Sequence, residues 1–495
     1  MKRFAVIVGL LVLIVALPIV MRRENAPVSP DRADDRISIL SPHNETIRVE
    51  FGRAFAAWWK QRTGRTIYVD WRTPGGTSEI AMVLDAGFKA AKETGREGVG
   101  VDVFFGGGQP DFSRQAKEGR LVPLDVFKEH PEWFGEGRVV PSSWTGETYF
   151  PADHTWVGCC LSQFGIAANP DVLARLKAPV PARWDDLGDP RFAGAVALAD
   201  PTKSGSVARA FELLVQEQIQ RELKDASVPR EHAIAAGWDK GLQLILRMSA
   251  NARYFTDSAS KIPHDVGQGD AAAGMCIDFY GRSYHEELLR ADGSSRVEWR
   301  APEGGATYSP DPVAVLKGAP HPEIAQAFVT FCLSAEGQRL WFGAPGSPGG
   351  PQERALHRLP IRGDVYSPEI LATATIRRNP YTDPGVFTYD RELTGKAFNT
   401  LRQFVRIACI DSHPELQRAW KAMAAAGFPP EAMAAFSDVS AFPYATFGKG
   451  HPVLDGGDPL ASADLASALG ERFRANFRRA EALSRSSATP AARQP

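Results

Sequence analysis

"ISILSPHNETIRVEFGRAFAAWWKQRTGRTIYVDWR", residues 37–72, holds two periodicities in one stretch. Ile37–Ser41 is a short strand-forming run. Ile47, Phe51, Phe55 and then Trp58 or Trp59 recur at the spacing of one helical face. Gly64 supplies a stop, and "TIYVDWR" (66–72) returns to β-branched and aromatic residues. Strand, helix and strand in that order predict a β–α–β unit, and hence a parallel sheet.

The next segment, "TPGGTSEIAMVL" (73–84), sets Gly75 and Gly76 ahead of Thr77 and Ser78, either of which can cap a helix. Glu79, Ile80, Met82, Val83 and Leu84 begin that helix. Backbone N–H groups at such a start are unpaired and favour negative charge. "GVDVFFGGG" (100–108) predicts a third buried strand ending in Gly106–Gly108, with a helix near 112–119 behind it. Farther on, "TWVGCCLSQFGIAA" (155–168) has the pattern of one long, mostly apolar strand. "GAVALA" (194–199) is another, followed by a hydroxyl-rich loop and a long helix. Helices are expected across 235–249 and near 258–267, then a buried strand in "DAAAGMCIDFY" (270–280). "GATYSPDPVAVLKGAP" (305–320) is extended, and Ile324, Phe328, Phe331, Cys332 and Ala335 mark one more amphipathic helix.

After residue 360 the alternation stops. Leu393, Ala397, Leu401 and Val405 share a helical face, as do Leu465, Leu469, Phe473 and Phe477. "SRSSATPAARQP" (484–495) has the composition of a disordered tail. No internal repeat is present.

The chain has 495 residues and a formal net charge of -1, so no overall attraction to nucleic acid or anionic lipid is expected. Lys2 and Arg3 precede an uncharged run, Phe4–Met21, and Arg22 and Arg23 follow. That pattern fits an export signal, and the run is also long enough to anchor in a membrane. Residues 24–36 are polar, with prolines and charges, and form a tether. The folded body is therefore expected in the periplasm or otherwise outside the cytoplasm, with residues 4–21 a candidate inner-membrane anchor. Five cysteines cannot all pair within one chain, and Cys276, Cys332 and Cys409 sit in apolar contexts suited to burial. Neither GxSxG nor HExxH occurs, so no enzyme activity is expected.

Four segments carry a resemblance: "VDVFFGGGQPDFSRQAKEGRLVPL" (101–124), "VPARWDDLGDPRFAGAVALADPTKSGS" (180–206), "GQGDAAAGMCIDFY" (267–280) and "PEIAQAFVTFCLSAEGQRLW" (322–341). In this order they resemble the extracellular solute-binding proteins of ABC importers, of the ferric-iron-binding and small-organic-anion type. The likeness covers about residues 37–345 and implies a two-lobed α/β fold, the type II periplasmic-binding-protein fold, with extended hinge crossings. A helical C-terminal extension is additional to it. The bounds expected are 1–23 for the signal or anchor and 24–36 for the linker. The first lobe spans 37–158 and 306–360, the second 159–305, the helical extension 361–483 and the tail 484–495. The crossings are placed near 155–165 and 305–315.

The resemblance implies capture of a small solute between the lobes and delivery to an ABC transporter permease. A membrane-tethered sensor with the same fold and no transport role is the alternative. A monomer is expected, with no nucleic-acid partner and no resident cofactor. For an organic anion or phosphonate, the expected ligand-binding residues are Gly75, Gly76, Thr77, Ser78, Gly107, Trp156, Ser204, Gly205, Ser206, Asp278 and Tyr280. Tyr149, Tyr308 and Arg282 are further candidates. For ferric ion as cargo, the resemblance points to His43, Glu79 and Tyr280, but Phe279 stands where the iron-binding relatives look to use a first tyrosine. Strand alternation at "IDFY" sets Asp278 and Tyr280 on one face and Phe279 on the other.

Overall fold

A computed structural model describes residues 29–383 and 385–487. The signal or anchor expected at residues 4–21, the start of the tether and the end of the tail lie outside the described residues. Among those described, no helix is long and apolar enough to cross a membrane. All five cysteines are buried and unpaired.

The opening β–α–β unit forms as its periodicity predicts. Asp35–Leu40 pairs in parallel with Ile67–Arg72, Asp35 opposite Ile67 and Leu40 opposite Arg72. Between them runs the helix Glu45–Thr63. Asn44 caps it by accepting from the Ile47 amide, and Gly64, at φ 73°, ends it in the left-handed region. Ile47, Phe51, Phe55 and Trp58 are its buried apolar face. Phe51 and Phe55 pack against Phe331, and Phe55 also meets Phe328. Burial of each such ring is worth about 1.5–3 kcal/mol.

Two sheets result. The first has six strands, in the order Leu359–Pro360, Val157–Ser162, Ser309–Val315, Val103–Phe105, Asp35–Leu40 and Ile67–Arg72. It is mixed rather than parallel throughout, because Ser309–Val315 runs against both of its neighbours. The second has five strands, in the order Glu298–Arg300, Phe164–Ala168, Ala273–Ile277, Val196–Ala199 and Ala252–Thr256. The long strand expected at 155–168 is two strands. Ser162 pairs with Ser309 in the first sheet, Phe164 pairs with Ile277 in the second, and Gln163 is the step between. An apolar run cannot reveal such a break, because every residue on either side of it is buried. The chain returns between Arg300, paired with Ile166, and Ser309. The two crossings thus lie side by side, which defines a two-lobed body hinged at its middle.

The region beyond 360 is helical only from Arg391 onward, apart from short turns such as Pro368–Ala372. Residues 376–383, which include the short helical turn Pro380–Thr382, and 385–390 pass over the hinge. Tyr308 donates to Asp383 (2.5 Å), the Phe387 amide donates to Ala306 O (3.1 Å) and the Tyr389 amide donates to Thr145 O (2.7 Å). The later helices are fastened to the second lobe. Trp238 donates to Phe442 O (2.8 Å), Trp420 to Asn251 Oδ1 (2.8 Å) and Thr394 to Glu212 (2.9 Å). They pack on the helix Gly205–Glu222, where the buried Glu212 and Gln216 both bond to Thr394. The last helix, Pro459–Ser487, runs past the expected start of the tail at 484, because Ser484 is still buried and bonded to Ala480 O (2.8 Å).

Candidate functional site

Between the two sheets lies a cavity of about 610 Å³. Helices enter it from both lobes, and all present the same end. The residues preceding the first turns of six helices, Asn44, Gly76, Gly108, Ser204, Ser260 and Ile277, line its wall. Asn44 and Ser204 cap their own helices through side chains, whereas Gly76, Gly108, Ser260 and Ile277 provide no side-chain cap. At Ser260 and Ile277 the first amides are already bonded within the protein, Lys261 to Ser258 O, Ile262 to Ala259 O, Asp278 to Gln163 O and Phe279 to Asp278 Oδ1. It is therefore the helix starts after Gly76 and Gly108 that leave amides as donors, and six dipoles place partial positive charge on one space.

The floor is polar and buried. Arg358, 2% exposed, donates to Asp311, to Ser162 Oγ (3.1 Å) and to Cys160 Sγ (3.2 Å), while its Nε has no partner. Asp311 also accepts from the Gly107 amide (2.6 Å) and lies 3.5 Å from His43 Nε2. Burial opposes the charge on Asp311, but the Arg358 guanidinium outweighs it and holds its pKa below the usual carboxylate range. Burial lowers the His43 pKa despite Asp311, so the imidazole is neutral at pH 7. Neither ring nitrogen of His43 makes a hydrogen bond of good geometry. On the other side, Glu147 accepts from Arg209 (2.6 Å), Thr307 (2.8 Å) and Ser309 (2.7 Å). Asp311 is thus paired with Arg358, whereas Arg209 is shared between the buried carboxylates of Glu147 and Glu212.

The glycines are needed for close approach. Gly106 and Gly107 have φ of 89° and 127°, and a Cβ on Gly106 would overlap the His43 ring. A Cβ on Gly205 would collide with Thr77 Oγ1 from the opposite lobe. The two hydroxyl-rich loops therefore touch across the cleft. Ser78 Oγ donates to Thr202 O at 3.2 Å. On the far side of the cavity, His357 and Glu286 pair across the lobes at 2.5 Å.

Of the residues expected from sequence, Gly75, Gly76, Thr77, Gly107, Ser204, Gly205, Ser206 and Tyr280 line the cavity. Ser78 is turned to Thr202 and Arg402 instead. Trp156 is 1% exposed in an apolar cluster with Leu40, Phe104 and Phe112 and is a core residue. Tyr149 and Tyr308 are likewise fully buried; Tyr149 donates to Tyr308 O (3.1 Å). Arg282 stacks on Trp299, with 4.8 Å from its guanidinium carbon to the ring centre. Strand alternation does not apply to Asp278, because Asp278–Glu287 is a helix and the strand ends at Ile277. Asp278 starts that helix beneath the cavity wall, fully buried, with Oδ1 accepting from the Phe279 amide (2.9 Å) and Oδ2 without a partner. Burial pushes its pKa up to about 6.

His43, Glu79 and Tyr280, the residues expected for ferric ion, all face the cavity. Among the described residues no group of three or more His, Cys, Asp or Glu is placed to hold a metal ion. Burial pushes the Tyr280 phenol up to about 12 even though Arg358 opposes the shift, which disfavours a tyrosinate. Sequence reasoning missed Arg358, Asp311, Arg209 and Phe398. The available signal was Asp311, a charge between two prolines within an otherwise apolar strand.

The chain belongs to the bacterial extracellular solute-binding protein family, whose profile matches residues 108–362. Over 186 residues it is 28% identical to the phosphoglycerate transport regulatory protein PgtC of Salmonella typhimurium, a match covering 38% of this chain and 40% of that protein. The chain thus spans less than half the length of that relative. In fold it resembles the apo ferric ion-binding protein A of Pasteurella haemolytica (TM-score 0.51, 13% identity, 75% of this chain and 96% of that one). It similarly resembles a putative extracellular solute-binding protein of Bordetella parapertussis (TM-score 0.50, 18% identity, 75% and 98%). These likenesses define a type II periplasmic-binding-protein fold.

Proposed function

We propose that the protein captures a small organic anion, carrying a phosphate or carboxylate group, between its two lobes and presents it to an ABC-type import permease. One observation carries this reading. Six helix N-termini converge on one cavity, and those after Gly76 and Gly108 leave first-turn amides open to it. Each dipole end favours an anion by about 0.3–1 kcal/mol, and more where water is excluded. Gly75–Thr77, Gly107 and Ser204–Ser206 supply donors from both lobes, so a bound anion joins them. The Arg358 guanidinium, beside His43 and Tyr280, opposes a bare ferric ion at the same place. The Salmonella relative's name connects it with phosphoglycerate, a small phosphorylated acid of the chemistry proposed. Family membership supports a location outside the cytoplasm, and Phe4–Met21 would direct or tether the chain there.

The test is calorimetric titration of purified protein with 3-phosphoglycerate, inorganic phosphate, ferric ion and glycerol. Binding of the phosphorylated acid, with no heat from glycerol, is expected. Binding of ferric ion alone would overturn the anion reading. Uptake lost on deletion of the chain fits the import role, and binding with unchanged uptake fits the sensor.

A further inference from the structure

The helices beyond residue 390 lie outside the matched family range, yet one of them reaches the cleft. Phe398 lines the cavity, and Arg402 lies one helical turn further on. The Arg402 guanidinium donates to four groups, three of them outside its own helix. Nε reaches Pro201 O (2.7 Å), while Nη2 reaches Thr202 O (2.8 Å) and Ser78 Oγ (2.9 Å). The first two acceptors belong to the second lobe and Ser78 to the first. Nη1 lies 3.3 Å from Asn399 Oδ1 on its own helix. Among the described residues, the Ser78 contact is the only hydrogen bond between 391–487 and the first lobe. Everything else in that region is fixed to the second lobe, through Glu212, Gln216, Trp238 and Asn251.

We propose that this helix is a clasp for the cleft: Arg402 is a positioning residue that holds the lobes together by bridging Ser78 to the Pro201–Thr202 carbonyls, and Phe398 closes the cavity wall beneath it. A guanidinium suits the task, because its rigid fork meets several acceptors at once where an ammonium offers a point charge. Ligand leaves only when the lobes part, so breaking the clasp acts on release. The effect on ligand rests on the anion reading; the effect on lobe separation does not.

The experiment uses the full chain with cysteines introduced at exposed sites, Lys92→Cys on the first lobe and Glu231→Cys on the second. The native cysteines are buried and escape labelling. Electron–electron distance measurement between spin labels, without ligand, is made for the parent protein, Arg402→Gln, Arg402→Lys and Ser78→Ala. Arg402→Gln and Ser78→Ala are expected to shift the distribution to longer distances with little change in Tm, and Arg402→Lys to restore part of the short population. Release of 3-phosphoglycerate is expected to quicken about tenfold in Arg402→Gln, the effect of one such hydrogen bond. Phe398→Ala is expected to quicken release while leaving the ligand-free distances unchanged. An unchanged distribution in both Arg402→Gln and Ser78→Ala would overturn the clasp. Failure of the parent protein to bind 3-phosphoglycerate would count against the anion reading alone, since the ligand-free distances still decide on the clasp.

Discussion

Replacing Gly205 by alanine separates closure of the cleft from stability of the fold. Gly205 is the first residue of the helix Gly205–Glu222 and has no positive φ, so its own lobe accepts alanine. Alanine is a better helix former than glycine by up to about 1 kcal/mol, which leaves Tm unchanged or raised. The new Cβ, however, meets Thr77 Oγ1 on the other lobe. Thr77 is β-branched and buried, which leaves it little room to turn. The lobes must therefore part locally. Parting breaks the Ser78–Thr202 hydrogen bond, worth about 1 kcal/mol, and the Arg402–Ser78 bond, worth about the same at a partly exposed site. The closed state should lose about 2 kcal/mol, which is about a thirtyfold loss of ligand affinity. Small-angle scattering should show a larger radius of gyration without ligand, and titration calorimetry the weakened binding. Adding Thr77→Ala should restore closure. Native dimensions and native affinity in Gly205→Ala would refute the claim that these loops meet in the closed state.

Asp278→Asn tests the buried carboxyl under the cavity wall. Its pKa is raised from 3.8 to about 6 by burial, so its neutral form is favoured in the folded state. The associated stability is fully present below pH 3.8 and is lost as pH rises through about 6, a total of about 3 kcal/mol. Tm of Asp278→Asn should therefore exceed that of the parent at pH 8 and match it at pH 4; equal values at both would contradict this. Arg358→Gln removes the cation beside Asp311 inside the protein and should destabilise the fold by about 3–5 kcal/mol by thermal denaturation. Arg358→Gln with Asp311→Asn should recover much of that loss, and no recovery would show that the pair is not the cause. Ser204→Ala deletes the side-chain cap on the Val207 amide and should cost about 1 kcal/mol of stability by the same measurement.

Local signals were the legible ones. The helix Glu45–Thr63 announces itself through its cap, its apolar spacing and Gly64, all within its own span. The donor loops at Gly75–Thr77 and Ser204–Ser206 are legible for the same reason, since helix starts are made by adjacent residues. Asp278 and Tyr280 were assigned to a strand because "MCIDFY" is continuous in hydrophobicity, whereas the helix begins at the one charge in it. Arg358 and Asp311 pair across 47 positions in the chain, and Arg402 meets Ser78 across 324. No spacing rule reaches that far. Trp156 was expected in the cleft on its chemistry, but it stands just ahead of the strand Val157–Ser162 and packs with Leu40, Phe104 and Phe112 in the core.

The most direct test of the account is mass spectrometry of the small molecules and metals released by denaturing the protein as purified from cells. An organic acid or phosphate ester, stoichiometric with the chain, is predicted. Stoichiometric iron, or an uncharged solute in its place, would contradict the convergence of helix N-termini as the basis of binding.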